Sequence, residues 1–265
     1  MTSEALGLVL ASSLLHALWN ARTHSGQDRP ATLAIAYAVG AVWMLPWLLA
    51  DPPWGLWLLV LATGSAHAGY ILALSASYER GSLATTYPVA RGAAPLLVAW
   101  FGIGVLGQRP SWFLLSGAVA VALGLALIGK VGWQAGERRA LPLALLSGGF
   151  IAVYTVLDAR GAGEVHGWSF FAASSLVAVL VVVLVGRVSW SRLVRARRSG
   201  LMVGVSASTA YALILLAYTR ADAASVATLR SSSILFGLAL APQALTGRLV
   251  LGTVLTVLGV GLVAW

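Results

Sequence analysis

GYILALSASYERGSLATTYPVARGAAPLLVAWFGIGVLGQRPSWFLLSGAVAVALGLALIG, residues 69–129, decides the fold. Apolar runs fill it, broken only by the turns ERGS (79–82) and LGQRP (106–110). Runs of about 20 apolar residues each cover the roughly 30 Å of a hydrocarbon core as a helix. Residues 210–265, AYALILLAYTRADAASVATLRSSSILFGLALAPQALTGRLVLGTVLTVLGVGLVAW, repeat the layout. Tyr211 stands for Tyr70, RADAAS for ERGS and LTGRL for LGQRP, while Gly252 and Gly259 repeat the spacing of Gly117 and Gly124. The opening helices match more weakly, with Trp19-Asn20 against Tyr154-Thr155. Shared turns weigh more here than shared leucines, because any two apolar helices resemble each other.

Outward from these segments, apolar runs predict ten helices. They span about Ser3–Ala21, Pro30–Ala50, Trp54–Ser77, Leu83–Leu106 and Ser111–Gly129, then Leu141–Ala159, Trp168–Gly186, Leu201–Thr219, Ala223–Gln243 and Arg248–Trp265. The expected organisation is a first five-helix repeat over residues 1–130, a basic linker over 131–139 and a second repeat over 140–265. The predicted class is an all-α polytopic membrane protein. Of 265 residues, 59% are hydrophobic and 9% charged, whereas soluble domains carry about 25% charged residues. Five helices per repeat is an odd number, so the second repeat enters from the opposite side. That is the inverted-topology repeat of many secondary transporters, whose substrate site lies near the midplane.

The net charge of +9 is a topology signal rather than a nucleic-acid footprint. Twelve arginines and lysines fall in alternate loops (Arg22, Arg29, Arg80, Lys130, Arg138, Arg139, Arg187, Arg192, Arg195, Arg197, Arg198 and Arg248), against Arg109, Arg160 and Arg220 in the others. Loop charge therefore predicts non-cytoplasmic termini in a plasma (inner) membrane. Cysteine is absent, which excludes disulfides and thiolate chemistry. The start, Met-Thr-Ser-Glu, lacks a basic n-region and reads as a retained helix.

Arg91 and Arg230 stand inside apolar stretches that contain no acid. A guanidinium stays charged, and at the centre of a membrane helix it costs roughly 3 kcal/mol on insertion scales. Arg91 lies about 12 Å into its helix and Arg230 about 10 Å into its own, counted at 1.5 Å per residue from opposite faces. Both approach the middle, although the alignment sets Arg230 nearer Val89 than Arg91. They predict a cavity that favours an anionic group; the plainer reading is snorkelling or pairing with carbonyls. Around Arg91, Pro88, Gly92 and Pro95 loosen the ladder, Pro88 and Pro95 predict a kink, and Tyr87 is a candidate substrate contact. Ser231 and Ser232 beside Arg230 read either as anion ligands or as small packing residues.

His16, Trp19 and Asn20 lie on the first helix, His16 and Asn20 on one face; Trp19 and Asn20 are candidate substrate contacts, with an interface anchor as the other reading of Trp19. His16 and His67 are candidates for proton coupling, with a packing histidine as the plainer reading. Tyr70, Tyr154 and Tyr211 are candidate cavity walls with a polar tip. Asp158, Glu79 and Asp222 read as solvated helix-end charges beside Arg160, Arg80 and Arg220. The glycine rows of helices 5 and 10 read as internal packing or as a homodimer face. No metal or cofactor site is expected.

HALWN in helix 1, YPVARGAAP in helix 4 and the tail VLGQRPSWFLLSGAVAVALGLALIG together resemble the EamA-type branch of the drug/metabolite transporter superfamily. The resemblance covers the chain as two five-helix repeats. It implies a ten-helix carrier of small metabolites such as amino acids, with cytoplasmic termini, opposite to the loop-charge reading. The turn that commonly holds Gly-Glu-Arg in that family reads Gly107-Gln108-Arg109 here, and Gly247-Arg248 has no glutamate. The expectation is a gradient-driven transporter of a small anionic metabolite, not an enzyme. A membrane-embedded enzyme acting on a lipid-linked substrate and a non-transporting partner subunit are the alternatives.

Overall fold

The computed structural model describes residues 3–106, 111–164, 166–218, 220, 230, 232–241 and 245–263, and none of these forms a strand. The first half contains α1 (Ser3–Ser25), α2 (Arg29–Trp43), α3 (Leu45–Ala50), α4 (Trp57–Tyr78), α5 (Leu83–Leu106) and α6 (Trp112–Gln134). The second contains α7 (Ala140–Glu164), α8 (Gly167–Val185), α9 (Trp190–Tyr218), α10 (Ser232–Ala239) and α11 (Gly247–Val263). Among the described residues, four helical segments are long and apolar enough to cross a membrane: Trp54–Tyr78, Trp112–Gln134, Ala140–Asp158 and Gly167–Val185.

Local chemistry sets the boundaries. Asp28 caps α2 by accepting from the Ala31 N–H at 3.2 Å, with Pro30 in the first turn; proline suits that position because its missing N–H has no helical partner there. Ser111 caps α6 by accepting from the Leu114 N–H at 3.1 Å. The segment expected as one helix over Pro30–Ala50 is divided into α2 and α3 at Met44 (φ −94°, ψ 6°). Pro46 lacks an N–H and its ring clashes with the carbonyl four residues back, so the helix is interrupted there. The basic stretch 190–200, expected as a loop, is instead the first three turns of α9.

Helices of one half pack mainly on helices of the other. α1 and α2 lie on α9, α4 and α5 on α7, α2 and α4 on α8, α1 on α10, and α6 on α11. Loop contacts define two ends. At the basic end, Arg192 donates to both carboxylate oxygens of Asp28 at 2.7 and 2.8 Å, His24 lies 3.0 Å from the Gly81 carbonyl, and Thr85 donates to Glu137. At the opposite end, Ser169 donates to the Asp51 carbonyl and Arg220 pairs with Glu4 at 3.0 Å.

The core includes Leu33, Ile71, Leu74, Leu83, Tyr87 and Phe170, while Leu49, Leu58, Leu180 and Leu184 face outward. Exposed tryptophans gather at the two ends: Trp43, Trp54, Trp57 and Trp112 at one, Trp133 and Trp190 at the other. The glycine rows of α6 and α11 face each other inside the chain. A Cβ at Gly252 would lie 2.9 Å from the Gly124 carbonyl oxygen, and one at Gly259 2.7 Å from that of Gly117.

Candidate functional site

A cavity of about 110 Å³ lies among α1, α2, α4, α5, α7, α8 and α9, with Arg230 also in its wall. Helical periodicity aims its side chains. On α1, His16 and Trp19 are three residues apart and share a face, their rings 5.6 Å apart. On α4 the same spacing presents His67 and Tyr70, and on α7 a four-residue spacing presents Tyr154 and Asp158. Arg91 enters from α5, Tyr37 from α2, Phe171 from α8 and Tyr211 from α9.

One wall is an ordered stack. His67 is 3% exposed and lies parallel to Tyr154, with ring centroids 4.0 Å apart and 17° between planes. Its Nδ1 is 3.0 Å from the Tyr37 hydroxyl and its Nε2 is 3.1 Å from Asp158 Oδ2. Phe171 and Tyr211 stack beside it at 4.6 Å and 19°. Asp158 Oδ1 and Trp19 Nε1 are buried and have no hydrogen-bond partner among the described residues. Neither Arg91 nor Arg230 forms an ion pair among the described residues. The cavity therefore contains two guanidiniums, one carboxylate and unsatisfied polar atoms, the conditions under which a polar solute recovers hydrogen bonds that the protein leaves open.

A second hollow of about 470 Å³ opens at the basic end, lined by Arg22, His24, Ser25, Leu83 and Met202 among others. Trp19 and Val203 belong to both walls and stand between hollow and cavity.

Of the residues singled out in the sequence, His16, Trp19, His67, Tyr70, Arg91, Tyr154, Tyr211 and Arg230 meet in the cavity. Asn20 does not line it. Its amide donates to the His16 carbonyl at 2.7 Å and accepts from the Tyr78 hydroxyl at 2.9 Å, so it ties α1 to α4. Tyr87 is 1% exposed and packs over Gly237 of α10, outside the cavity wall. Ser232 is half-buried and also lies outside it. Ser231, Asp222 and Gln108 fall outside the described residues. α5 runs as one helix through Pro88 and Pro95.

Asp158 corrects the sequence reading, which made it a solvated end charge. α7 continues to Glu164, six residues past Asp158, which sets the carboxylate about 9 Å inside the helix end at 1.5 Å per residue. The four-residue spacing from Tyr154 was the available signal. Tyr37 and Phe171 were missed as well, because an aromatic residue in an apolar helix looks the same in sequence whether it faces a cavity or a lipid tail. Glu79 does behave as an end charge, pairing with Arg80 at 3.2 Å in solvent.

No family model matches the sequence, and no curated protein matches it. Among solved structures, a chain described only as "Crystal structure of protein" superposes with a TM-score of 0.61, covering 99% of this chain and 98% of that one at 19% identity. At that identity the likeness shows the fold alone.

Proposed function

We propose that the chain is a multi-pass membrane transporter that moves a small metabolite bearing an anionic group by alternating access around this cavity. The observation that carries the reading is the cavity's pair of arginines, without an ion pair among the described residues, set among aromatic walls drawn from both halves. Intramembrane cations of this kind face cavities and mark substrate paths. A volume of about 110 Å³ is small beside the roughly 300–1,000 Å³ of drug-sized pockets, which suits a small metabolite.

The outward leucines between two girdles of exposed tryptophan support embedding in a bilayer, since tryptophan favours both membrane–water interfaces. Helix contacts support the inverted repeat. Exchanging α1 with α7, α2 with α8, α4 with α9, α5 with α10 and α6 with α11 turns the α1–α9 contact into α7–α4, α2–α9 into α8–α4, and α1–α10 into α7–α5. All of these pairs touch, and α2–α8 and α6–α11 map onto themselves. Ten crossings would put both termini on the side opposite the basic end, and loop charge makes the basic end cytoplasmic.

The test is a thermal-stability screen of purified protein against L-glutamate, L-alanine, succinate and inorganic phosphate. A bound solute stabilises by mass action, roughly 2.7 kcal/mol at a hundredfold excess over Kd. Stabilisation in wild type that disappears in Arg91→Leu and Arg230→Leu proteins of normal fold supports the reading. Wild-type binding by both variants would sink the site assignment.

A further inference from the structure

The Tyr37–His67–Asp158 chain has two hydrogen bonds and room for one more proton. With neutral imidazole, the Tyr37 O–H donates to Nδ1 and Nε2–H donates to Asp158. With imidazolium, Nδ1–H donates to the tyrosine oxygen and Nε2–H still donates to the carboxylate. The observed separations of 3.0 and 3.1 Å serve both states. Only the tyrosine hydroxyl turns, so a proton is gained or lost without rearranging the wall. Histidine is the side chain whose ordinary titration falls between about pH 5 and 8. The stack on Tyr154 and the edge contacts to Tyr37 and Phe171 hold the ring in place.

The pair shares its cavity with further titratable and charged groups. Asp158 and Tyr154 come from α7, Tyr70 from α4, Tyr37 from α2, His16 from α1, Tyr211 from α9 and Arg91 from α5, while Arg230 completes the wall. α8 contributes the uncharged Phe171. With His16 neutral, two guanidiniums against one carboxylate leave one net positive charge in the cavity while His67 is neutral and two once His67 is protonated. A solute anion in the same low-dielectric space is held more tightly in the second state. By reciprocity the anion raises the affinity for the proton by the same factor.

We propose that the Tyr37–His67–Asp158 chain is a proton-binding site that couples transport to the proton gradient: one proton and one solute anion bind cooperatively and cross together. Water on one side supplies the proton to the His67–Asp158 pair, and water on the other side receives it. This rests on the transport reading above and deepens it.

The test uses full-length protein in vesicles of phosphatidylethanolamine and phosphatidylglycerol with an entrapped pH dye. The probes are radiolabelled L-glutamate, L-alanine, succinate and inorganic phosphate. The expected result is luminal acidification in step with tracer entry. In the wild type, apparent affinity should tighten on acidification by roughly 5–150-fold, the usual size of a coupling between sites. Asp158→Asn and His67→Gln should lower the ratio of protons to tracer and flatten that pH dependence, whatever happens to the absolute rate. Tracer entry without acidification in the wild type overturns the proposal and leaves the transport reading standing; no entry of any tracer counts against the transport reading itself. Nitrogen-15 NMR of wild-type histidines in lipid nanodiscs separates the two failures without any variant. Both protonation states of the His67 ring must be seen as pH is varied; a ring that stays in one state overturns the proton site.

Discussion

The seam between α6 and α11 and the cavity wall between α4 and α7 join the two halves by opposite means. Along the seam, glycines let backbones meet. A Cβ at Gly124 would fall 2.6 Å from the Gly252 carbonyl oxygen, and one at Gly259 2.6 Å from the Val121 nitrogen. The Thr256 hydroxyl is turned back onto the Gly252 carbonyl of its own helix at 2.8 Å, so it demands nothing from its neighbour. At the cavity, rings hold helices apart: His67 on Tyr154 at 4.0 Å and Phe171 on Tyr211 at 4.6 Å. Arg91 and Arg230, without ion pairs among the described residues, line the space that results. Small residues allow close approach in membranes, where lipid offers no hydrophobic drive to bring helices together. One region fixes the halves, and the other keeps a hollow between them.

The strongest way to break this contrast is to overfill the seam. Gly124→Leu meets backbone on α11 that has nowhere to go. The expected cost is about 1–3 kcal/mol or more from overpacking, read as a lowered melting temperature and a poor yield of monodisperse protein. A variant as stable as wild type would mean that the seam is not closely packed. Removing a cavity charge should do the reverse, sparing the fold and weakening the site. Arg91→Leu is expected to weaken anion binding by about 10–150-fold, from the roughly 1.5–3 kcal/mol of a hydrogen bond to a charged group, with near-normal thermal stability.

Trp19 tests the partition between the cavity and the hollow at the basic end. The chain has no cysteine, so Ser208→Cys gives a single thiol in the cavity wall. Adding Trp19→Ala is expected to speed its modification by a polar reagent applied at the basic end several-fold; an unchanged rate would show that other groups close the passage. The smallest effect belongs to the clamp at the basic end. The hydrogen bonds from Arg192 hold the Asp28 carboxyl below the usual aspartate range. A depressed carboxylate contributes stability above its unfolded pKa and loses it as pH falls through its folded one. Wild type should therefore lose a small stability increment below about pH 4, and Asp28→Asn should show no such loss over the same range.

Much of the fold was legible in the residues. Apolar run lengths marked the helices among the described residues, although Pro30–Ala50 divides in two and Ser232–Ala239 is what is described as helix within the expected Ala223–Gln243, and the glycine rows marked a close contact. Placement within a helix was less accessible. A boundary five residues short on α7 turned Asp158 from a half-buried cavity carboxylate into an end charge. The arginines of 190–200 looked like a loop because charge excludes a segment from hydrocarbon, yet helix formation does not require hydrocarbon. Asn20 and Tyr87 sit among residues of the right chemistry but point to neighbouring helices, at Tyr78 and Gly237. Sequence spacing ranks faces within one helix and does not say which neighbour each face meets.

By itself the sequence determined an all-helical chain, with segments apolar enough for a bilayer and two arginines that need a polar surrounding. Those conclusions follow from transfer free energy, which each segment carries alone. Only the tertiary structure decided that Arg91 and Arg230 share a cavity, that Trp19 stands at its edge and that His67 bridges Tyr37 and Asp158. These depend on the rotation of seven helices about their own axes, which packing sets jointly across both halves of the chain.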